Sequence, residues 1–406
     1  MGDRWARGPF AVDYEQRVDF AALRAGRLAR ARQAMAAAGL EALLVWKDEN
    51  VRYLTSLRPQ LLAGKSGLLN GALLTGHEVV LFVSGGDCDR ARATMPWVQD
   101  VRPIPILEEA GLVGYFVDHI LRPVFQVRGL LRARVGTDLA SFVLHEALRE
   151  QMPEVRWADG DRVMQRARRV KLPDEVALIE EAVAMAEAVT QAALDAVRPG
   201  VREVEVAAEA LRTLYRLGGE YAHVTTPFVA SGEHMSPPTR LATDKLVRHG
   251  DLVFVDIGCM WNGYFADVGR TVVCGEPSAE QRRVYRAVYE AHRAGLEALR
   301  PGATNREVAD RIRAEARRHG LEQHFLTLFI GHGIGVGSNE PPYVGEVFPD
   351  AEEVVLEPGM VFAMEPLIWV PDVPGGGGVR LEDMVLVTES GSRVMSRLPY
   401  DAALLG

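Results

Sequence analysis

The chain has 406 residues, of which 48% are hydrophobic, and a formal net charge of −9. This length suffices for two domains with their own cores, and the negative charge argues against a nucleic-acid-binding protein, which needs a basic face. The three cysteines form no C-x-x-C pair. No apolar run reaches the roughly 18 residues of a membrane helix, and the first residues lack the apolar core of a signal peptide. Together these features predict a cytoplasmic protein without a membrane partner.

The first part of the chain alternates helical and strand-like patterns. A helical periodicity runs from 20 to 38 and ends at Gly39. Short apolar strands and further helical stretches follow, with strands at 42–46, 71–75 and 78–84 and helices near 108–125 and 139–150. This alternation is typical of an α/β domain. We predict a smaller N-terminal α/β domain of residues 1–165 and a second domain of residues 166–406.

The second domain begins with a clear helix signal and contains an internal repeat. Pro173, Asp174 and Glu175 have the composition of a first helical turn. The segment 194–219 resembles 296–320, because each reads as helix, Arg-Pro-Gly turn and helix. The repeat predicts two related halves about a pseudo-twofold axis, with an antiparallel sheet inside and helices outside.

The repeat extends into strand-like segments and aligns acidic residues. "VRHGDLVFVDIG" matches "LEPGMVFAMEPL", so that Asp256 corresponds to Glu365. "GYFADVGRTVV" matches "GVRLEDMVLVT", so that Asp267 corresponds to Glu382. "FVASGE" matches "FIGHGI", which places His332 at the equivalent point of the second half. Two carboxylate matches in the same order indicate a shared site where the halves meet.

The hairpin around Asn262-Gly263 explains how two aspartates share one face. Asn-Gly is a strong type I′ turn signal, which pairs residue 261 with 264 and residue 258 with 267. Side chains alternate along a strand, so Asp256 and Asp267 point to the same side of neighbouring strands. Buried carboxylates so close together need compensation by cations.

Four carboxylates and one imidazole form a plausible ligand set for metal ions. Asp256, Asp267, Glu365 and Glu382 carry four negative charges, which two divalent cations neutralise, and His332 adds a nitrogen donor. Such a set suits Mn²⁺, Fe²⁺, Co²⁺ or Zn²⁺. A pair of these ions can hold a hydroxide at neutral pH and polarise a carbonyl. We therefore predict that the strand aspartates are metal ligands.

Other interpretations remain open for single residues. Asp256 and Asp267 alone are consistent with strand carboxylates that pair with Arg270. His223, His234 and His324 are candidates to line the pocket, although histidines in such positions are more often structural. The glycines of "GHGIGVG" do not fit the G-x-G-x-x-G pattern of a nucleotide loop and instead indicate close backbone packing.

The ordered motifs "DIG", "GYFADVGRT", "GHGIG", "MEP" and "VRLED" resemble those of the pita-bread metallopeptidase family, which includes Xaa-Pro dipeptidases, aminopeptidase P, methionine aminopeptidase and creatinase. The resemblance covers roughly residues 170–400, and the first domain resembles more weakly the creatinase and prolidase N-terminal domain. It implies an α+β pita-bread domain, a homodimer, and five metal ligands at Asp256, Asp267, His332, Glu365 and Glu382. It further implies that Arg380 steadies a carboxylate or the reacting oxygen.

The chain departs from the family pattern around the site. Asn339 stands where the peptidases have the histidine of "H-E-x-P", and Thr239 stands at a second histidine position, with His234 nearby. Asn and Thr donate hydrogen bonds but do not titrate near neutral pH. We expect Asn339, Thr239 and His234 to contact substrate.

The sequence supports three alternative functions. The first is a dinuclear metal-dependent hydrolase resembling Xaa-Pro peptidases, in which Glu365 shuttles the proton and Arg380 assists. The second is a hydrolase or lyase of a small zwitterion, resembling ectoine hydrolase or dimethylsulfoniopropionate lyase. The third is a non-catalytic binding protein on the same fold. The substrate is accordingly a short peptide or a small molecule.

Overall fold

The computed structural model describes residues 18–59, 65, 67–239, 241–326, 329–345 and 352–406. Residues 1–17, which include the segment predicted not to be a signal peptide, lie outside the described part. The backbone contacts divide the chain into two units, Met1–Arg168 and Arg169–Gly406. In the described residues no helix combines the length and the apolar character that a membrane crossing requires.

The first unit has a mixed six-stranded sheet with helices around it. Its strands are Ala42–Val45 (β1), Gly71–Thr75 (β2), Val79–Ser84 (β3), Asp100–Ile104 (β4), Arg134–Thr137 (β5) and Arg156–Asp159 (β6), in the order β4-β3-β2-β1-β5-β6. Its helices are Phe20–Ala37 (α1), Asp48–Thr55 (α2), Cys88–Thr94 (α3), Ala110–Phe116 (α4), Arg122–Val127 (α5), Phe142–Gln151 (α6) and Asp161–Arg169 (α7). The strands predicted from the sequence correspond to β1, β2 and β3, and the predicted helix at 20–38 corresponds to α1.

One predicted helix of this unit has a more complex form. The stretch near 108–125 folds as α4, a π-helical turn at Val117–Leu121, and α5. Pro123 stands in the first turn of α5, where its missing N–H breaks no α-helical hydrogen bond. The buried rings of Trp46, Phe82 and Phe116 pack edge to face or tilted against one another in the core.

The second unit contains antiparallel strands with long helices. The helices are Pro173–Asp195 (α8), Glu203–Arg216 (α9), Ala279–Ala298 (α10), Asn305–Arg318 (α11) and Ala402–Leu405 (α12). The strands are Phe228–Ser231 (β7), Leu252–Trp261 (β8), Tyr264–Val273 (β9), Gly331–Gly333 (β10), Glu340–Val344 (β11), Val361–Met364 (β12), Leu367–Trp369 (β13), Gly378–Arg380 (β14), Asp383–Thr388 (β15) and Gly391–Val394 (β16). This is the predicted α+β architecture.

The two halves of this unit follow the repeat seen in the sequence. Each half begins with a helix pair, α8–α9 or α10–α11, and continues into antiparallel strands. Gly200 and Gly302, in the two Arg-Pro-Gly turns, have φ values of 86° and 84°. Gly250 and Gly359, aligned by the repeat, have φ values of 88° and 90°. Equivalent glycines therefore adopt the same left-handed conformation, which other residues rarely adopt.

The described strands of this unit form separate hydrogen-bonded sheets, whereas the sequence predicted one continuous sheet. The strands of this unit pair as β7-β8-β9, as β11-β10-β12-β15-β16 and as β13-β14. An isolated bridge between Gly269 and Glu382 joins β9 to the residue that precedes β15. The halves thus meet at the position of a predicted metal ligand. Helix α8 packs on β8 and β9, whereas α10 packs on α11 and contacts β12, β13 and β14.

Candidate metal centre

The hairpin β8–β9 places Asp256 and Asp267 on one face. Asn262 and Gly263 form its turn with φ values of 47° and 83°, and Gly258 pairs with Asp267. This confirms the register predicted from the Asn-Gly signal. Asp256 lies two residues from Gly258 on the same face, so the two carboxylates are diagonal neighbours. Both side chains are buried, with only 3% and 4% of the residue surface exposed.

The second half brings the remaining predicted ligands to the same place. His332 lies in β10 between two antiparallel neighbours, Glu365 directly follows β12, and Glu382 directly precedes β15. The Glu382 amide donates to Gly269 O at 3.0 Å, and the Glu365 amide donates to Ile330 O at 2.7 Å. The first bond fixes Glu382 against the hairpin, and the second fixes Glu365 against the residue that precedes β10.

The five side chains converge on a shared volume. Ligand atoms of Asp267, His332 and Glu382 lie within 4.8 Å of one another, and the same holds for Asp256, Glu365 and Glu382. Glu382 belongs to both groups. Two adjacent groups that share a carboxylate have the arrangement expected for two neighbouring cations.

The buried carboxylates in this volume need a compensating positive charge. Burial and the neighbouring carboxylates raise the pKa of Asp267 and of Glu382 well above their ordinary values. Among the described residues, Asp256 Oδ1, Asp267 Oδ1 and Glu382 Oε2 have no hydrogen-bond partner although they are buried. Buried oxygens without partners are costly. Divalent cations bound among them remove that cost, so the residues fit a metal centre.

His332 has the hydrogen bonding of a metal ligand. Its Nδ1 lies 2.9 Å from Gly333 O, and since a carbonyl only accepts, Nδ1 carries the proton. The Nε2 lone pair is then turned toward the centre, where Nε2 lies 3.3 Å from Glu365 Oε1. Ligand histidines commonly donate their second ring N–H to a carbonyl in this way.

Arg380 contacts two of the carboxylates and borders a cavity. Its Nη1 lies 3.1 Å from Asp256 Oδ2 and 2.9 Å from Glu365 Oε2. Its Nε and Nη2 are buried and have no hydrogen-bond partner in the described part of the chain. The adjoining cavity of about 270 Å³ is lined by Pro237, Pro238, Thr239, Phe254, Leu326, Leu367, Trp369 and Arg380. Arg380 therefore offers unused donors to a ligand held between apolar walls.

The three predicted substrate contacts occupy different places. Thr239 lines the cavity beside Arg380. His234 is held away from that lining, because its Nδ1 lies 3.1 Å from Glu203 Oε1. Asn339 is exposed and does not line the cavity.

Arg270 does not pair with the two aspartates of the hairpin. It lies three residues after Asp267, and an odd separation along a strand places side chains on opposite faces. Its Nη2 donates to Asp383 Oδ1 at 2.8 Å, and its Nη1 donates to Glu382 O at 2.6 Å. Asp383 also accepts from Ser396 and Tyr400. This network holds the backbone of Glu382 from the strand face opposite the metal centre.

The sequence assigned no specific role to Glu203 or His223. Glu203, at the start of α9, accepts from Ser231 Oγ at 2.8 Å and from Thr243 Oγ1 at 2.7 Å, and so anchors the loop after β7. His223 lies at the centre itself: a ring nitrogen is within 4.8 Å of carboxylate oxygens of Asp256 and Asp267. The sequence offered His223 only as one of three histidines near the pocket.

A second group of possible ligands lies away from this centre. Glu290 on α10, Glu315 on α11 and His319, which directly follows α11, have ligand atoms within 4.8 Å of one another. Arg318 pairs with Glu290 at 3.0 Å and with Glu315 at 2.8 Å, however, and these ion pairs supply the compensating charge. We interpret this group as a helix-to-helix ion-pair network.

Comparison with known proteins identifies the family. Residues 177–389 match the sequence profile of Metallopeptidase family M24, and residues 27–170 match the Creatinase/Prolidase N-terminal domain. An Xaa-Pro dipeptidase of Pyrococcus furiosus is 34% identical over 257 residues, which is 63% of this chain and 71% of that protein.

Solved structures agree over nearly the whole chain. The Xaa-Pro dipeptidase from Bacillus anthracis aligns with a TM-score of 0.78 at 26% identity, over 93% of this chain and 99% of its own. The prolidase from Pyrococcus horikoshii aligns with a TM-score of 0.76 at 27% identity, over 92% and 99%. The chain therefore belongs to metallopeptidase family M24, with a creatinase-type N-terminal domain and the pita-bread fold, and is a metal-dependent hydrolase.

Proposed function

We propose that the protein is a dinuclear Xaa-Pro peptidase that cleaves short peptides. The observation that carries the proposal is the convergence of five buried ligand side chains beside an apolar cavity. Relatives named Xaa-Pro dipeptidase support the substrate class. They do not favour the zwitterion hydrolase or lyase, or the non-catalytic binding protein.

In this proposal Asp256, Asp267, His332, Glu365 and Glu382 hold two divalent ions of Mn, Fe, Co or Zn. Bound cations of this kind lower the pKa of water and polarise a carbonyl.

The chain's own residues then perform the remaining tasks. Arg380 fixes the Glu365 carboxylate through Nη1 and directs Nε and Nη2 to an oxygen of the substrate. Glu365 accepts the proton of the attacking water and returns it to the departing amine nitrogen. The walls formed by Phe254, Leu367 and Trp369 exclude water and suit the pyrrolidine ring of proline.

The proposal also covers the domain boundary, the oligomeric state, the cellular location and the substrate contacts. Residues 1–165 form the N-terminal domain and 166–406 the catalytic domain, as the two profile matches support. The homodimer rests on the family resemblance, and the cytoplasmic location rests on the free, buried Cys88, Cys259 and Cys274, which suit a reducing compartment. Thr239, which lines the cavity, contacts substrate in this proposal. Substrate contacts of Asn339 and His234 stay predictions from the sequence.

The test is cleavage of dipeptides by metal-defined protein. The chelated enzyme is reloaded separately with Mn²⁺, Co²⁺, Fe²⁺ or Zn²⁺ and assayed with Ala-Pro and Met-Pro, with Ala-Ala as the control. The proposal expects metal-dependent cleavage of the proline dipeptides and much slower cleavage of Ala-Ala. Absence of cleavage with every metal, despite full metal content, contradicts it.

A further inference from the structure

Glu203 ties down both ends of a loop that borders the cavity. Its Oε1 accepts from the amide and from Oγ of Ser231, both at 2.8 Å. Its Oε2 accepts from Oγ1 of Thr243 at 2.7 Å and from the Thr243 amide at 3.1 Å. Glu203 is fully buried. Residues 232–239, which we call the wall segment, lie between these two attachments and supply three residues of the cavity lining, Pro237, Pro238 and Thr239.

The glycine run 375–378 brings a second backbone directly against the wall segment. A Cβ atom on Gly376 would overlap the carbonyl oxygen of Gly232. A Cβ atom on Gly378 would overlap the carbonyl oxygen of Met235, and it would lie 2.9 Å from the Met235 carbonyl carbon and 3.0 Å from Met235 Cβ. Ordinary carbon contacts are about 3.5–4.0 Å. Glycine at these positions therefore permits a backbone approach that any larger residue prevents.

The glycine run is itself fixed to the rest of the second unit. Gln281 on α10 is 1% exposed, and its Nε2 donates to Gly376 O at 3.3 Å. The Val370 amide donates to Gly377 O at 2.9 Å, which closes the loop between β13 and β14. Ser236 of the wall segment donates from Oγ to Val370 O at 2.7 Å. The wall segment is thus held by Glu203 and by a supported glycine loop.

The contact between Met235 and Gly378 lies two residues from the cavity lining on either side. Pro237 follows Met235 in the wall segment, and Arg380 follows Gly378 in β14. The buried Met235 side chain also packs in one cluster with Phe254, another lining residue. A change in the Met235–Gly378 separation therefore moves the wall segment relative to Arg380.

We propose that Glu203 and Gly378 are specificity-determining positions, which hold the wall segment at the distance from Arg380 that selects the five-membered ring of proline over larger rings. Neither residue is part of the cavity lining, so both are positioning residues that act through the wall segment. The identity of the ring rests on the proposed Xaa-Pro peptidase function. The placement of the wall segment by Glu203 and Gly378 does not depend on it.

Two variants displace the wall segment by different means. In Gly378→Ala the added methyl group must separate Met235 from β14 by on the order of 1 Å to restore ordinary contacts. In Glu203→Gln one carboxylate oxygen becomes an NH₂ group, which cannot accept a hydrogen bond from an amide N–H. The backbone of either Ser231 or Thr243 then loses its partner, and one end of the loop is released.

The kinetic test compares Ala-Pro with Ala-pipecolic acid, whose ring is one methylene larger, using Mn²⁺-loaded protein. We expect the unaltered protein to prefer Ala-Pro. One methylene in an apolar pocket changes kcat/KM by about 10-fold or more, so Gly378→Ala should lower that preference about 10-fold. Glu203→Gln should lower it in the same direction. Both changes should lie chiefly in KM, with the Mn²⁺ content unchanged, because the metal ligands keep their places.

Two control variants perturb buried contacts away from the cavity. A Cβ atom on Gly295 would lie 2.6 Å from Ile312 Cδ1, between α10 and α11. Glu175 is 1% exposed and accepts from the Tyr264 hydroxyl at 3.0 Å. Gly295→Ala and Glu175→Gln should lower the melting temperature without changing the preference for Ala-Pro. If Gly378→Ala does not fold, Glu203→Gln decides by the same measurements.

Three kinetic outcomes overturn the proposal. The first is an unaltered protein that cleaves both dipeptides equally well. The second is an unchanged preference in the folded Glu203 and Gly378 variants. The third is a change of preference that is as large in the two control variants, since a general loss of stability then accounts for it.

Hydrogen exchange and crystallography supply readouts that need no catalysis. In chelated protein, Glu203→Gln should accelerate amide exchange in peptides that cover residues 232–239, and Glu175→Gln should not. A crystal structure of Gly378→Ala should show a longer distance between the α-carbons of Pro238 and Arg380. Unchanged exchange together with an unchanged distance overturns the proposal. A metal-loaded protein that cleaves neither dipeptide contradicts the proposed function instead, and these two measurements still decide how the wall segment is held.

Discussion

Replacing Arg270 tests how strongly the buried ion pair with Asp383, on the strand face opposite the metal centre, stabilises the second unit. The guanidinium is 1% exposed and pairs with Asp383, itself 1% exposed, at 2.8 Å. Replacing Arg270 with Met keeps an unbranched side chain but removes the charge and every N–H donor. Asp383 then keeps Ser396 and Tyr400 as donors but loses its strong charge partner.

The expected cost follows from the burial of the pair. Breaking a buried ion pair by removing one partner typically costs about 3–5 kcal/mol, because the remaining charge stays uncompensated. Each kcal/mol lowers the melting temperature of a domain of this size by about 2–4 °C. We therefore expect Arg270→Met to lower the melting temperature of the second unit by roughly 6–20 °C.

The assay is thermal and urea unfolding in the presence of a chelator, so that metal binding does not contribute. Arg283→Met is the matched control, since Arg283 pairs with Glu280 at 2.5 Å but both side chains are at least 40% exposed. Exposed pairs contribute about 0–1 kcal/mol. The double variant Arg270→Met with Asp383→Asn should be less destabilised than the sum of the single variants. A loss for Arg270→Met no larger than that for Arg283→Met refutes the reasoning.

Three further predictions concern ligation, acid stability and the cavity. Asp267→Asn keeps the shape but removes a ligand charge, so affinity for Mn²⁺ should fall at least about 10-fold by calorimetry; unchanged affinity contradicts its role. Burial lowers the pKa of His292 to about 4 from its usual 6.5. As the pH falls, His292 therefore binds a proton in the unfolded state before it does so in the folded state. The metal-free protein should thereby lose about 3 kcal/mol between pH 6.5 and 4. His292→Phe should flatten that part of the urea-unfolding pH profile, and an unchanged slope contradicts the assignment. Leu367→Ala removes a cavity wall and should lower kcat/KM for Ala-Pro about 10-fold, whereas unchanged kcat/KM places the substrate elsewhere.

The sequence predicted those parts of the site that depend on local rules. The Asn262-Gly263 turn determined the register of β8 and β9, and with it the shared face of Asp256 and Asp267. The internal repeat predicted that Glu365 and Glu382 join them, because equivalent positions of two similar halves meet near their common axis. Both predictions use short-range geometry or self-similarity.

The remaining features depend on contacts between distant segments. His223 belongs to an irregular stretch between α9 and β7, where no periodicity indicates which way a side chain points. Its place became visible only through its bonds to Gly258, 35 residues away. The pairing of His234 with Glu203 likewise joins a loop to the start of a helix. By contrast, the opposite orientation of Arg270 follows from strand alternation alone.

The most direct test of the account is an anomalous diffraction map of Mn²⁺-soaked crystals, measured where manganese scatters anomalously. The account predicts two peaks enclosed by Asp256, Asp267, His332, Glu365 and Glu382. An empty centre in fully Mn²⁺-equilibrated crystals, or a peak only at Glu290, Glu315 and His319, contradicts it.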